Sequence, residues 1–225
     1  MQPQPIHILT IQFANEISQK NLSAFRGAFI QSIPETPLLL HNHIGDKFRY
    51  AYPLVQYKRL NGKAAIVCIG QGVANVNELL EKSVFVLDIK NKGVEMKIES
   101  FHLDIVDIGI SQNEESYRLA NWLPLNSQNY QKYQATENLV DKISMLEKIL
   151  VGNILSFLKG IGIQLDEQLK LHITDISNLH LMTYKNIKLM AFDIEFKTNI
   201  ILPQNIGIGK SASLGFGILN NKTIR

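Results

Sequence analysis

The chain has 225 residues, 45% hydrophobic and 19% charged, with a net charge of +3 and a single cysteine, Cys68. This balance excludes a disordered or fibrous chain and allows one large domain or two small ones. One cysteine excludes an intramolecular disulfide and suits a reducing compartment, and the mild positive charge permits an anionic partner without requiring one. The opening stretch MQPQPIHILT lacks the cationic and apolar regions of a signal peptide. The longest apolar run, ILVGNILSFL, is about half of what a bilayer crossing requires. A cytoplasmic protein without membrane contact is expected.

In chain order, PIHILTIQF (5–13) alternates and is rich in β-branched residues, which predicts a strand. NLSAFRGAFIQSI (21–33) places Leu22, Phe25, Phe29 and Ile33 at helical spacing, with Asn21 or Ser23 as the cap. After a loop with two prolines, AYPLVQYKRL and KAAIVCIG flank Asn61-Gly62, a strong hairpin signal. ANVNELLEK (74–82) predicts a short helix, VFVLDIK the next strand, and EMKIESFHLDIVDI (95–108) further strand. The order β-α-β-β-α-β is that of a ferredoxin-like unit.

The polar, aperiodic stretch GISQNEES (109–116) is the candidate boundary, giving domains 1–112 and 113–225. Beyond it a long helix carries Leu139, Ile143, Leu146, Leu150, Ile154 and Phe157 on one face, closed by Lys159-Gly160. LKLHITDIS, LHLMTYK and IKLMAFDIEFKTNI then read as strands. The expected fold class is therefore α+β, with two tandem ferredoxin-like domains, the second a degenerate copy of the first.

Four of the six histidines, His7, His102, His172 and His180, sit in apolar alternating runs and read as half-buried strand residues with a hydrogen bond. His41 and His43 share a polar loop, LLLHNHIGDKFRY. In extended backbone, residues i and i+2 project to one side about 6.5 Å apart. Three readings stand open for that pair. It can bind a metal with Asp46. It can serve as base and acid in metal-free RNA cleavage, where a ribose 2′-OH attacks the adjacent phosphorus. It can also be a solvated loop. Tyr50, Tyr52, Tyr57, Lys47, Arg49, Lys58 and Arg59 crowd the following segment. Tyr52 and Tyr57 read as ordinary strand aromatics, and Lys58 and Arg59, being adjacent, face opposite sides. Arg26 either reaches RNA or snorkels from the core edge.

Near the C-terminus, GIGKSASLGFG (207–217) contains a Gly-Lys-Ser triplet, yet the strict P-loop spacing places Gln204 where a glycine is required. The residues after Ser211 are poor helix formers, so no nucleoside triphosphate site is expected. A phosphate-bearing ligand or a turn that packs the final strand remain as alternatives.

Two of these stretches resemble one family. GIGKSASLGFG is similar to the C-terminal glycine-rich loop of the RAMP superfamily of CRISPR-associated proteins. LLLHNHIGDKFRYAYPLVQYKRLNGKAAIVCIGQGV resembles the block that marks the b-type of the sixth Cas family, endoribonucleases that process CRISPR precursor RNA, and AFRGAF fits as well. The resemblance implies tandem ferredoxin-like domains that bind CRISPR repeat RNA and cut it without metal or cofactor, leaving a 5′-hydroxyl and a 2′,3′-cyclic phosphate. It carries His41, His43 and Tyr50 over as catalytic residues. A lysine that some members hold just before the histidines has no counterpart, because Gln31 to Leu40 contains none. Lys47 or Lys58 is then the candidate cation for the phosphorane.

Lys210, Ser211 and Ser213, with Gly209 between them and the chain that precedes, are expected at RNA phosphates, and Arg26 is a further RNA-contact candidate. A homodimer and association with CRISPR effector proteins are compatible with the resemblance. The competing function is a RAMP-type subunit that binds CRISPR RNA and does not cut it.

Overall fold

In a computed structural model, residues 3–32, 43–44, 47–48, 52–76, 84–184 and 187–222 are described. The N-terminal unit begins with strand β1 (Gln4–Glu16), followed by helix α1 (Leu22–Gln31). Two short strands, β2 (His43–Ile44) and β3 (Lys47–Phe48), pair with each other. The hairpin of β4 (Val55–Leu60) and β5 (Lys63–Ile69) comes next. Its turn has positive φ at both Asn61 (51°) and Gly62 (86°), the geometry the Asn-Gly pair predicts. β6 (Val84–Asp88) then pairs with the start of β7 (Gly93–Trp122).

β7 runs for 30 residues and serves both halves of the molecule. Its first part pairs with β1, from Ile98 opposite Phe13 to Ile108 opposite Gln4. From Gly109, opposite Ile201, its partner becomes β9 (Ile187–Ile201). The sheet order β7-β1-β5-β4, antiparallel throughout, is that of a ferredoxin-like unit. The order repeats beyond Gly109. β10 (Ile218–Asn221), β7, β9 and β8 (Leu171–Tyr184) lie side by side, with two helices between β7 and β8.

Three expectations change in detail. VFVLDIK was expected as the strand completing the first unit, but β7 completes it and β6 is a hairpin arm added to β7. The stretch 109–116 lies within β7, across a register shift between Ile110 and Glu115. A bulge disturbs the two-residue period, which is why the segment looks aperiodic. Of the expected helix 74–82, Ala74–Val76 form a single 3-10 turn, and residues 77–83 lie outside the described residues.

After β7 come α2 (Ser127–Ala135) and α3 (Leu139–Gly160). α2 buries no residue, so no apolar stripe announced it; Asn126 caps it by accepting from the Asn129 N–H. α3 buries Leu146, Leu150, Ile154, Phe157 and Leu158, as its periodicity predicts, whereas Leu139 in its first turn is exposed.

Two cores share the N-terminal sheet. Leu9, Ile11, Ile66 and Cys68 pack under α1 with Phe25, Phe29 and Tyr57. Ile8, Val67 and Ile69, on the opposite face, join Leu150, Ile154 and Phe157 of α3. β5 is thus buried on both faces, which explains why KAAIVCIG is a continuous apolar run rather than an alternating one. Burial of each such side chain stabilises by about 1.5–3 kcal/mol, so this shared sheet ties the halves together.

Candidate RNA-facing site at the glycine-rich loop

Among the described residues, the second half has no α-helix between β9 and β10, where a ferredoxin-like unit places its second crossover helix. Where it would lie, the chain runs from β9 through Leu202–Gly217 to β10. This segment is the glycine-rich loop, held at its base by Ile208 N–H to Gly217 O (2.8 Å), Gly217 N–H to Asn121 O (3.1 Å) and Leu219 N–H to Ile206 O (2.9 Å). After Ser211 only one 3-10 turn forms, Ala212–Leu214, so the exclusion of a P-loop stands.

Three side chains from the N-terminal unit grip this loop. Gln56 Oε1 accepts from the Gly207 N–H at 2.8 Å, and the Tyr52 hydroxyl donates to Gly207 O at 2.7 Å. Gln56 Nε2 donates to the Tyr52 hydroxyl (2.8 Å) and to Pro53 O (3.0 Å). Lys58 Nζ donates to Ala212 O at 2.9 Å. Gln19 adds a fourth contact through Nε2 to Leu214 O at 3.0 Å. Gln56 and Lys58 are two apart on β4, so both project to one side. Burial without a counter-charge lowers the Lys58 pKa from its ordinary range to about 7.

The glycines answer to protein neighbours. A Cβ on Gly207 would lie 2.5 Å from Ala212 O and 2.6 Å from Lys58 Nζ. One on Gly209, at φ +89°, would lie 2.6 Å from Asn153 Oδ1 and 2.9 Å from Trp122 Nε1. The sequence alone left a phosphate-bearing ligand or the packing of a turn as reasons for the glycine cluster; at Gly207 and Gly209, close packing against β4, α3 and β7 accounts for the glycines. What the loop presents outward is Lys210, which is exposed, and Ser211, half-buried in the left-handed region at φ 58°.

The other expected site residues are distributed as follows. His43 is in β2, paired with Phe48, and Lys47 is in β3, paired with Ile44. His41 and Tyr50, and Asp46 of the metal reading, lie outside the described residues. Among the described residues, no group of three or more His, Cys, Asp or Glu is placed to hold a metal ion.

Lys58 is fully buried beneath the loop, so it acts from inside the protein and not at its surface. Ser213 is buried as well, while Arg59 is exposed and donates from Nε to Ile17 O. Arg26 is half-buried on α1, near enough to Tyr57 for its charge to oppose the rise in the Tyr57 pKa that burial causes. Tyr57 is a core aromatic as expected, edge-on to Phe25 and Phe29.

Tyr52 is more than a strand aromatic. It precedes β4, its ring meets Phe157 of α3 at 5.0 Å, and a Cβ on Gly160 would fall 2.4 Å from its own Cβ. Sequence reasoning missed the role of Gln56, which carries no charge and looks like any polar strand residue. The signal that existed is the i, i+2 spacing of Gln56 and Lys58, which puts both on one face of β4. Of the histidines read as half-buried, only His180 is so, with Nε2 3.1 Å from Asn121 Oδ1. His7, His102 and His172 are exposed, and His102 lies 2.9 Å from Asp104.

Residues 4–107 match the family model of the Cas6b N-terminal domain, and residues 109–222 that of the Cas6b C-terminal domain. The chain belongs to the Cas6b family. A crystal structure of Cas6b has a TM-score of 0.82 to this Cas6b-family chain at 26% identity, covering 97% of it and 100% of that chain. A crystal structure of the CRISPR RNA processing endoribonuclease Cas6b has a TM-score of 0.75 at 25% identity, with 97% and 100% covered. An uncharacterised protein of Methanocaldococcus jannaschii is 33% identical over 150 residues, 66% of this chain and 95% of its own length. The two Cas6b models meet where β7 passes from β1 to β9, at residues 107–109. Among the described residues no helix is long and apolar enough to cross a membrane.

Proposed function

We propose that this chain is an endoribonuclease that cleaves CRISPR precursor RNA within its repeats, without metal, by attack of the ribose 2′-oxygen on the adjacent phosphorus. The supporting observation is the match of both Cas6b domains along nearly the whole chain, together with the likeness to a CRISPR RNA processing endoribonuclease. As the 2′-oxygen bonds to phosphorus, the P–O5′ bond breaks. One imidazole of the His41/His43 pair takes the 2′-OH proton and the other protonates the departing 5′-oxygen, leaving a 2′,3′-cyclic phosphate and a 5′-hydroxyl. Tyr50 assists by hydrogen bonding to charge on the phosphorane. Lys210 and Ser211 engage phosphate oxygens from the glycine-rich loop, and Lys47 supplies a cation beside the histidines. The partner is CRISPR repeat RNA.

The test is incubation with a labelled repeat RNA in EDTA, alongside a substrate with a 2′-deoxy ribose at the scissile position. Cleavage at one position with the first and none with the second is expected. Cleavage that stops with chelator would support the metal reading through His41, His43 and Asp46. Tight binding without cleavage would support the non-cutting subunit.

A further inference from the structure

Among the described residues, the buried polar and charged side chains, aromatics aside, are Gln56, Lys58, Thr198 and Ser213, and three of these four meet at the contact between β4 and the glycine-rich loop. Lys58 is the extreme case. Its amine is at 0% exposure and has three N–H groups, yet Ala212 O is its sole partner among the described residues. Burying such a group with one partner costs folding stability, so its presence here points to a use for the geometry it enforces. Its neighbour on the same strand face, Gln56, spends both ends of its amide holding the Gly207 N–H and the Tyr52 hydroxyl. Tyr52 in turn holds Gly207 O. Both polar backbone groups of Gly207 are thereby fixed, and Lys58 fixes Ala212 five residues on. The segment between these anchors carries the exposed Lys210 and the left-handed Ser211.

We propose that Tyr52, Gln56 and Lys58 form a clasp by which the N-terminal domain sets the shape of the C-terminal domain's glycine-rich loop, making Lys58 a positioning residue for RNA binding rather than an RNA contact. The link to RNA rests on the function proposed above. Pinning Gly207 and Ala212 sets the intervening tip before RNA arrives, so binding does not have to order it. The depressed Lys58 pKa is consistent with an amine held for its donor geometry and not for its charge.

The experiment compares the full chain with Lys58→Met and Gln56→Leu, which keep volume and remove the polar contacts. Hydrogen–deuterium exchange is followed on peptides covering 207–214, with repeat-RNA affinity and urea midpoint measured in parallel. For Lys58→Met, expected results are a urea midpoint at or above the parent's at pH 7, at least tenfold faster exchange in 207–214, and about tenfold weaker RNA binding. A merely structural lysine would lower the midpoint and leave exchange in 207–214 no faster than elsewhere; that pattern, or parental exchange in both variants, overturns the clasp. Should either variant fail to fold, Tyr52→Phe removes one hydroxyl only and is expected to raise exchange of the same peptide by a smaller factor; unchanged exchange there counts against the proposal. If the parent chain binds no repeat RNA, the proposed function fails, and exchange in 207–214 still decides whether β4 shapes the loop.

Discussion

Trp122 donates from Nε1 to Asn153 Oδ1 at 3.0 Å, joining the end of β7 to the middle of α3 directly beneath Gly209. That pair leaves no room for a side chain at Gly209, whose φ of +89° already disfavours one. Gly209→Ala is expected to destabilise by roughly 2–4 kcal/mol, read from the urea midpoint. Asn153→Ala opens the space, so the double variant should cost less than the two single changes added together. Strict additivity would show that the crowding is not what matters.

The buried Lys58 gives stability a pH dependence of definite sign. Its folded pKa, about 7, lies below its unfolded value, so between the two the unfolded chain holds the extra proton. Stability therefore rises as pH increases through this window. Burial of the Cys68 thiol, which raises its pKa from 9.0 to about 12, acts the other way at higher pH. The clean interval is pH 7 to 8.5, over which Lys58 should contribute about 1–2 kcal/mol. Urea midpoints at both ends check this, and Lys58→Met should flatten the difference. An unchanged slope in that variant would mean that the amine stays solvated.

His41→Ala and His43→Ala are each expected to lower the cleavage rate by about 10²–10⁴-fold with RNA affinity retained, since general acid and base act in the transition state. Tyr50→Phe should have a smaller effect of the same kind. Single-turnover cleavage and filter binding separate the two quantities, and parental rates in both histidine variants would remove them from the site.

Lys210 is exposed on the loop tip, and replacing it tests whether that tip meets phosphate. Lys210→Ala should weaken repeat-RNA binding and reduce the slope of log affinity against log salt by about 0.7, one contact to a single strand. A weaker affinity with the parental salt slope would place the loop away from the backbone.

Local patterns made much of this fold readable. Asn61-Gly62 encodes its own hairpin because few residues accept positive φ twice in succession. Leu146, Leu150, Ile154 and Phe157 announce α3 because a helix facing a core must repeat about every 3.6 residues. The histidine loop and glycine cluster carried the family resemblance through contiguous residues, and the two Cas6b matches bear out that family.

Other features needed the folded chain. α2 has no buried face and so no period to detect, and a bulge in β7 hides a continuous strand behind an aperiodic segment. Lys58 reads as a surface cation in any local window, because its burial depends on Ala212, 154 residues away. Gly207 and Gly209 look like room for a ligand until Lys58, Asn153 and Trp122 arrive from three other elements. Periodicity and turn chemistry act between near neighbours and are written in the sequence; close packing acts between residues that only the tertiary fold brings together.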